Sequence, residues 1–162
     1  MNATLRAYID LLRLQFFFAW PLLFCSGYLL ATMTYGGFEW PVLAKVALIG
    51  FFGFEAGLVL NDYLDRDIDK KDVEQGRLTK YWRLFGSRPL PAGLIPPLHA
   101  LALFMVLAGI AAMLILTLPY PHSIYVLLMM VYCYLIEAFY QFEKRIPQVF
   151  PFPQLIGRTD FA

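Results

Sequence analysis

Five aspartates crowd into eleven residues directly after an apolar stretch of the chain, at positions 62, 65, 67, 69 and 72. If a helix continues through this segment, its 100° step per residue places Asp62, Asp65 and Asp69 within an arc of about 60°. Asn61 then lies on the adjoining edge of this face, and Asp67 points away from it. Carboxylates on one helical face repel each other, and a hard divalent cation such as Mg²⁺ removes that repulsion. The spacing therefore predicts a site for magnesium and phosphate groups, with a solvated acidic helix end as the alternative.

The composition indicates that membrane-spanning elements position this acidic segment. The chain has 162 residues, of which 60% are apolar and 15% are charged. A typical soluble domain carries about 25% charged residues. Such a composition excludes a disordered chain, a coiled coil and a nucleic-acid-binding arm. Cys25 and Cys133 both lie in apolar runs, without the spacing of a disulfide framework or a zinc site.

Four apolar stretches are long enough to cross a membrane, since a spanning helix needs about 20 mostly apolar residues. They cover residues 14–33, 41–60, 94–118 and 123–142. Because backbone polar groups in lipid must be satisfied within each helix, the stretches predict an all-α membrane protein. We expect four transmembrane helices in an antiparallel bundle, forming one domain over residues 1–162. The aspartates would lie in the loop at residues 61–93.

The basic residues predict which way the bundle faces. Twelve of the thirteen lysines and arginines fall in the N-terminal segment, in the long loop or after the fourth stretch, and all of these lie on one side of the predicted bundle. The exception, Lys45, lies near the start of the second stretch, from which a long side chain can reach the interface. Cytoplasmic loops carry an excess of basic residues. We therefore expect both termini and the aspartate-rich loop in the cytoplasm.

Two acids fall inside the predicted spans. Glu55 precedes Asn61 by six residues and lies on a nearby helical face. Because acids at membrane depth are rare and are functional candidates, Glu55 is a candidate acceptor-site carboxylate or proton acceptor. The alternative is a buried glutamate hydrogen-bonded between helices. Glu137, three residues before Tyr140, leaves the same two alternatives open.

Three landmarks stand in order along the chain. They are the pattern NDxxDxxxD at residues 61–69, the run RPLPAG at residues 88–93, and the pattern YxxxKR at residues 140–145 followed by PQLIG at residues 153–157. Together they resemble the UbiA-type intramembrane prenyltransferases, and the resemblance covers nearly the whole chain. The signature of phosphotransferases acting on lipid alcohols needs an Asp-Gly and an Ala-Arg ahead of the carboxylates, and this segment lacks both.

The resemblance implies a reaction and a site. Enzymes of this family transfer a prenyl group from a polyprenyl diphosphate to an aromatic or lipid acceptor in the bilayer, with Mg²⁺ as cofactor. The acceptor would be a benzoate, a quinone precursor, a porphyrin ring or a lipid. The implied metal ligands are Asn61, Asp65 and Asp69; the implied substrate-binding residues are Asn61, Asp62, Arg88 and Tyr140; and the implied catalytic residues are Asp65, Asp69 and Lys144.

Two features depart from the family pattern. The segment at residues 70–87 is longer than we expect, and it would cap the site or bind an anionic leaflet. The family also carries a second aspartate-rich motif after further spans, which this sequence lacks. The sequence is then the N-terminal half of a longer fold, a separately encoded half that needs a C-terminal partner, or a non-catalytic relative. The last alternative predicts a prenyl-lipid-binding or assembly subunit of the membrane.

Overall fold

The computed structural model describes residues 2–70, 83–143 and 155–156. Within these ranges the chain is helical, without strands. In chain order the elements are α1 (Ala3–Leu11), a 3-10 turn (Leu14–Phe16), α2 (Ala19–Tyr35), α3 (Trp40–Asp69), α4 (Pro97–Leu116) and α5 (His122–Glu143).

Four segments are long and apolar enough to cross a membrane, namely Leu14–Tyr35, α3, α4 and α5. This finding confirms the prediction of an all-α chain with four candidate spans. The bounds of α3 differ from those predicted, because the helix continues to Asp69 and residues 61–69 are helical rather than loop. Thirty residues extend over about 45 Å, whereas the hydrocarbon core measures about 30 Å. The last turns of α3 can therefore carry charges beyond the apolar layer.

α3 is the central helix and packs against α1, α2, α4 and α5. Ala56 and Val59 of α3 belong to one buried apolar cluster with Ala100 and Leu107 of α4. Leu11 of α1 joins the same cluster and is fully buried. The short N-terminal helix is therefore anchored to the bundle core rather than lying apart from it.

Small residues let neighbouring helices approach α3 closely. A methyl group added at Gly50 would lie 2.7 Å from a ring carbon of Phe24 in α2, closer than atoms pack. Gly53 and Gly57 lie against Tyr134 of α5, whose hydroxyl donates a 2.8 Å hydrogen bond to the carbonyl of Gly53. Small residues at such spacing commonly allow close packing of membrane helices. The glycines thus serve packing on two sides of α3.

A sharp turn at Arg13 separates α1 from the first span. Arg13 has a φ of 45°, in the left-handed region that residues with side chains rarely adopt. The 3-10 turn follows directly.

At the other end of the bundle, the Lys45 ammonium donates a 3.1 Å hydrogen bond to the carbonyl of Thr117, at the C-terminal end of α4. Carbonyls at that end of a helix favour a cation.

Candidate functional site

The acidic face of α3 is the first part of the site. Because α3 is continuous through Asp69, the helical spacing that predicts one carboxylate face applies to this segment. Asp62 and Asp65 are buried, and Asp69 is half-buried. Asp67 is exposed, and it pairs only loosely with Arg66 at 3.7 Å. The structure thus separates the exposed Asp67 from the three acids of the predicted face.

Two guanidinium groups bind the carboxylate of Asp62. Arg13 Nη2 lies 3.0 Å from Oδ1, and Arg83 Nη2 lies 2.6 Å from Oδ2. The Asp62 and Arg83 side chains are almost fully buried. A buried carboxylate is stable only when charged hydrogen bonds offset its desolvation, and each oxygen here has one. In this structure Asp62 links α3 to the N-terminal segment and to the loop before α4, and its predicted substrate-binding role remains a prediction.

Asp10 fixes that loop to α1. Its Oδ1 accepts a 2.7 Å hydrogen bond from the amide of Phe85, and its Oδ2 accepts bonds from the amide and hydroxyl of Ser87 at 2.9 and 2.7 Å. Arg83 Nη1 donates to the Asp10 carbonyl at 2.6 Å. Asp10 is fully buried. Asp10 was not predicted as a site residue from the sequence. Its position in α1 between the apolar residues Ala7 and Leu11, which are both buried, is a signal that could have identified it.

Arg88, the first residue of the run RPLPAG, contacts the aspartate pattern at residues 61–69. Its Nη1 lies 2.9 Å from Oδ1 of Asp69, and both side chains are mostly buried. A fork of N–H donors beside a carboxylate suits phosphate recognition, because a guanidinium binds phosphate oxygens through paired hydrogen bonds. The structure therefore joins two of the predicted site residues in one ion pair at the end of α3.

Asn61 faces α5. Its Nδ2 donates a hydrogen bond to Oε1 of Glu137, which also accepts one from Nε2 of Gln141. With the nitrogen committed to Glu137, the amide oxygen is the atom of Asn61 that a hard cation can use. Tyr140 lies on the same helix and is half-buried. The contact between Glu137 and Asn61 matches one of the two predicted alternatives for Glu137, an acid hydrogen-bonded between helices. Gln141 was not among the residues predicted from the sequence.

The donor set suits a cation only in part. Among the residues that the structure describes, no group of three or more His, Cys, Asp and Glu side chains is arranged to hold a metal ion. The predicted ligands contribute two carboxylates, Asp65 and Asp69, and one amide. Mg²⁺ is commonly held by one or two carboxylates together with substrate phosphates and water. The predicted site residue Lys144 lies outside the described residues.

Comparisons with known proteins identify the family. The family model of the UbiA prenyltransferases matches residues 18–162. A 4-hydroxybenzoate octaprenyltransferase of Aeromonas salmonicida is 35% identical over 76% of this chain and 36% of its own length. The protein of the same name from Ralstonia nicotianae is 36% identical over 81% of this chain and 40% of its own length.

A more distant similarity concerns a shorter region. A protoheme IX farnesyltransferase of Roseiflexus castenholzii is 37% identical over 45% of this chain and 12% of its own length. No solved structure matches the chain. The chain spans about two fifths of the length of the 4-hydroxybenzoate relatives it matches. With four apolar helices and a family match over most of its length, the chain is an integral membrane protein that belongs to the UbiA prenyltransferase family.

Proposed function

We propose that this chain carries the first diphosphate-binding half of a magnesium-dependent prenyltransferase of the membrane. The reaction is transfer of a prenyl group from a polyprenyl diphosphate to an aromatic or lipid acceptor. The observation that carries the proposal is the 2.9 Å contact of Arg88 with Asp69, which puts a phosphate-binding guanidinium beside the acidic face of α3. Membership of the UbiA family supports the same reaction.

In the proposed site, Asp65, Asp69 and the amide oxygen of Asn61 would hold the cation that binds the diphosphate. A bound Mg²⁺ would neutralise charge on the diphosphate as the allylic carbon–oxygen bond breaks. Arg88 would donate to the phosphate oxygens of a bound diphosphate in place of Asp69, its partner in this structure. A fixed cation aimed at the developing charge stabilises the transition state electrostatically. Tyr140 and Lys144 would add donors from α5 and the segment after it.

The orientation is part of the proposal. Arg13, Arg83 and Arg88 lie at the same end of α3 as the aspartates. Cytoplasmic segments of membrane proteins are enriched in such basic residues. We place this end, together with both termini, on the cytoplasmic side of an antiparallel bundle. A polyprenyl diphosphate would keep its head group at that interface while its chain lies along the apolar helices.

A complementary C-terminal half would complete the site. The chain covers 36 to 40% of the length of the two 4-hydroxybenzoate octaprenyltransferases. A second aspartate-rich motif supplied by a further bundle would give the diphosphate a second set of ligands. The proposal predicts that metal and diphosphate bind to this chain, and that transfer needs the other half.

The direct test is binding of magnesium and a short prenyl diphosphate by the purified chain in lipid nanodiscs. We expect geranyl diphosphate to bind with Mg²⁺ present and to be released when EDTA removes the metal. The inert cation Na⁺ at matched ionic strength is the control, because screening alone would act equally with either salt. Geranyl diphosphate affinity that is the same with and without Mg²⁺ would contradict the proposed metal site. Such a result would favour the prenyl-lipid-binding or assembly subunit instead.

A further inference from the structure

A single carboxylate of α1 holds the loop before α4. The amides of Phe85 and Ser87 donate hydrogen bonds of 2.7 and 2.9 Å to the two carboxylate oxygens of Asp10. The Ser87 hydroxyl adds a third bond of 2.7 Å. Because Asp10 is fully buried, loss of any of these bonds would leave a buried polar group unsatisfied. The conformation of the loop is therefore coupled to the presence of this one side chain.

A tight turn brings both amides onto Asp10. Gly86 lies between the two amide donors with a φ of 68°, in the left-handed region that glycine adopts without strain. Its amide donates a 3.1 Å hydrogen bond to the carbonyl of Arg83. The Arg83 guanidinium in turn donates to the carbonyl of Asp10 and to the carboxylate of Asp62, each at 2.6 Å. The turn is thus fixed from α1 and from α3 together.

Arg88 follows this turn directly, and its backbone is held on both sides. On the N-terminal side is Ser87, which Asp10 binds. On the C-terminal side is Pro89, which is fully buried and whose carbonyl accepts a 2.9 Å hydrogen bond from the amide of Leu94. Because consecutive Cα atoms are about 3.8 Å apart, the contact with Asp10 acts within one residue of the Arg88 side chain.

The side chain that leaves this backbone is the guanidinium of the proposed diphosphate site. Its Nη1 lies 2.9 Å from Oδ1 of Asp69 at the end of α3. A guanidinium pairs with phosphate oxygens through a planar fork of donors, so its orientation matters as well as its charge. A misplacement of about 1 Å in such a group can lower a rate about a hundredfold. The position of the loop is therefore expected to affect binding through Arg88.

We propose that Asp10 is a positioning residue for diphosphate binding. From α1 it fixes the turn at residues 83–88 so that the Arg88 guanidinium lies at the acidic face of α3. The inference rests on the proposed function, because that function gives Arg88 a diphosphate to bind. Asp10 itself touches neither the metal nor the substrate and acts through Ser87 and Arg88.

The first experiment measures the protection of Arg88 without any diphosphate. Phenylglyoxal modifies accessible guanidinium groups, and mass spectrometry after chymotryptic digestion gives the rate at each arginine of the purified full chain in nanodiscs. We expect Asp10→Asn to raise the rate at Arg88 at least threefold, because asparagine keeps the size but offers one acceptor oxygen instead of two. Arg66, which donates to the carbonyl of Tyr63 within α3, is the internal reference and should stay within twofold. An unchanged rate at Arg88 overturns the proposal.

Two further variants separate positioning from loss of stability. Gly50→Ala strains the contact of α2 with α3, away from the turn, and should leave the rate at Arg88 within twofold. Equal acceleration in Gly50→Ala and Asp10→Asn would overturn a specific role for Asp10. Ser87→Ala removes only the hydroxyl bond and should raise the rate at Arg88 by a smaller factor than Asp10→Asn. If Asp10→Asn yields no folded protein, an unchanged rate in Ser87→Ala overturns the proposal.

The second experiment tests whether Asp10 acts through Arg88. Calorimetric titration with geranyl diphosphate and Mg²⁺ compares Asp10→Asn, Arg88→Ala and the double variant. Each single variant should bind at least threefold more weakly than the unmodified chain. The double variant should match Arg88→Ala within twofold, because effects that pass through one side chain do not add. Additive losses would overturn the positioning role and leave Asp10 as an anchor of α1 alone.

The two proposals fail separately. The rate of Arg88 modification needs neither metal nor diphosphate, so it reports on the position of Arg88 even if the unmodified chain binds no diphosphate. Absence of magnesium-dependent binding, together with faster Arg88 modification in Asp10→Asn, would overturn the proposed function while showing that Asp10 holds Arg88 in place. Magnesium-dependent binding that Asp10→Asn leaves unchanged would overturn the positioning role alone.

Discussion

At the scale of single residues, Asp65 and Asp67 show how two acids of one motif acquire different surroundings. They are two positions apart, so about 200° of helical rotation separates them. Asp65 is buried on the face that also bears Asp62 and Asp69, whereas Asp67 is exposed beside Arg66 and Lys70. Exposed ion pairs of this kind contribute little to stability. Only the buried carboxylate is placed to act on a ligand shared with Asp69.

We therefore expect Asp65→Asn to weaken magnesium-dependent diphosphate binding about tenfold or more, or roughly 1.4 kcal/mol. The variant removes one charged oxygen ligand of the proposed cation. Asp67→Asn is the matched control and should change the affinity less than about twofold, since its side chain is solvated. Calorimetric titration of both variants with geranyl diphosphate and Mg²⁺ measures the difference. Equal effects would contradict the assignment of the two acids to opposite faces.

At the scale of elements, Asp10 ties α1 to the loop before α4. Asp10→Ala leaves the amides of Phe85 and Ser87 without their acceptor, and each buried, unsatisfied donor costs about 1–3 kcal/mol. We expect the free energy of unfolding to fall by about 3 kcal/mol in a reversible denaturation in mixed micelles. The exposed Asp67→Ala should change it by less than about 0.5 kcal/mol. A drop of the same size in both variants would contradict a specific role for Asp10.

The contact of α2 with α3 gives a second prediction at this scale. Gly50→Ala places a methyl group 2.7 Å from the Phe24 ring and should destabilise the protein by about 1–3 kcal/mol. Gly109→Ala in α4 is the control, because an added methyl group there meets nothing within 4 Å. This control should be neutral or stabilising by up to about 1 kcal/mol, since alanine favours helix over glycine. The thermal unfolding midpoints of the two variants measure the difference, and equal midpoints would show that the α2–α3 contact tolerates a larger side chain.

At the scale of the whole molecule, the proposed function concerns a site that two halves build together. We expect no transfer of a radiolabelled prenyl group to an aromatic acceptor by this chain alone, and transfer once a complementary C-terminal half is co-expressed. The physical reason is that one aspartate face can bind the diphosphate but contacts it from one side only. The negative charge that develops on the leaving diphosphate is then incompletely stabilised. Addition of EDTA to the reconstituted pair should abolish transfer. Turnover by the isolated chain would refute the need for a second half.

The sequence by itself predicted the four spans, the acidic face and the family, but neither α1 nor the continuation of α3 to Asp69. The length of each apolar run decides how many spans there are, and the 3.6-residue period decides that Asp67 points away from Asp65. Both are local properties of the chain, and the structure confirms the four candidate spans. The roles given to Asn61, Asp65 and Asp69 as metal ligands stay predictions.

Only the tertiary structure decided which side chains meet. Arg13 bonds Asp62 across 49 positions, Asp10 bonds Ser87 across 77, and Asn61 bonds Glu137 across 76. No local period links such residues, because their encounter depends on how α1, the loop before α4 and α5 pack around α3. The same packing encloses Glu55, whose complete burial depends on the helices around α3 rather than on any local pattern.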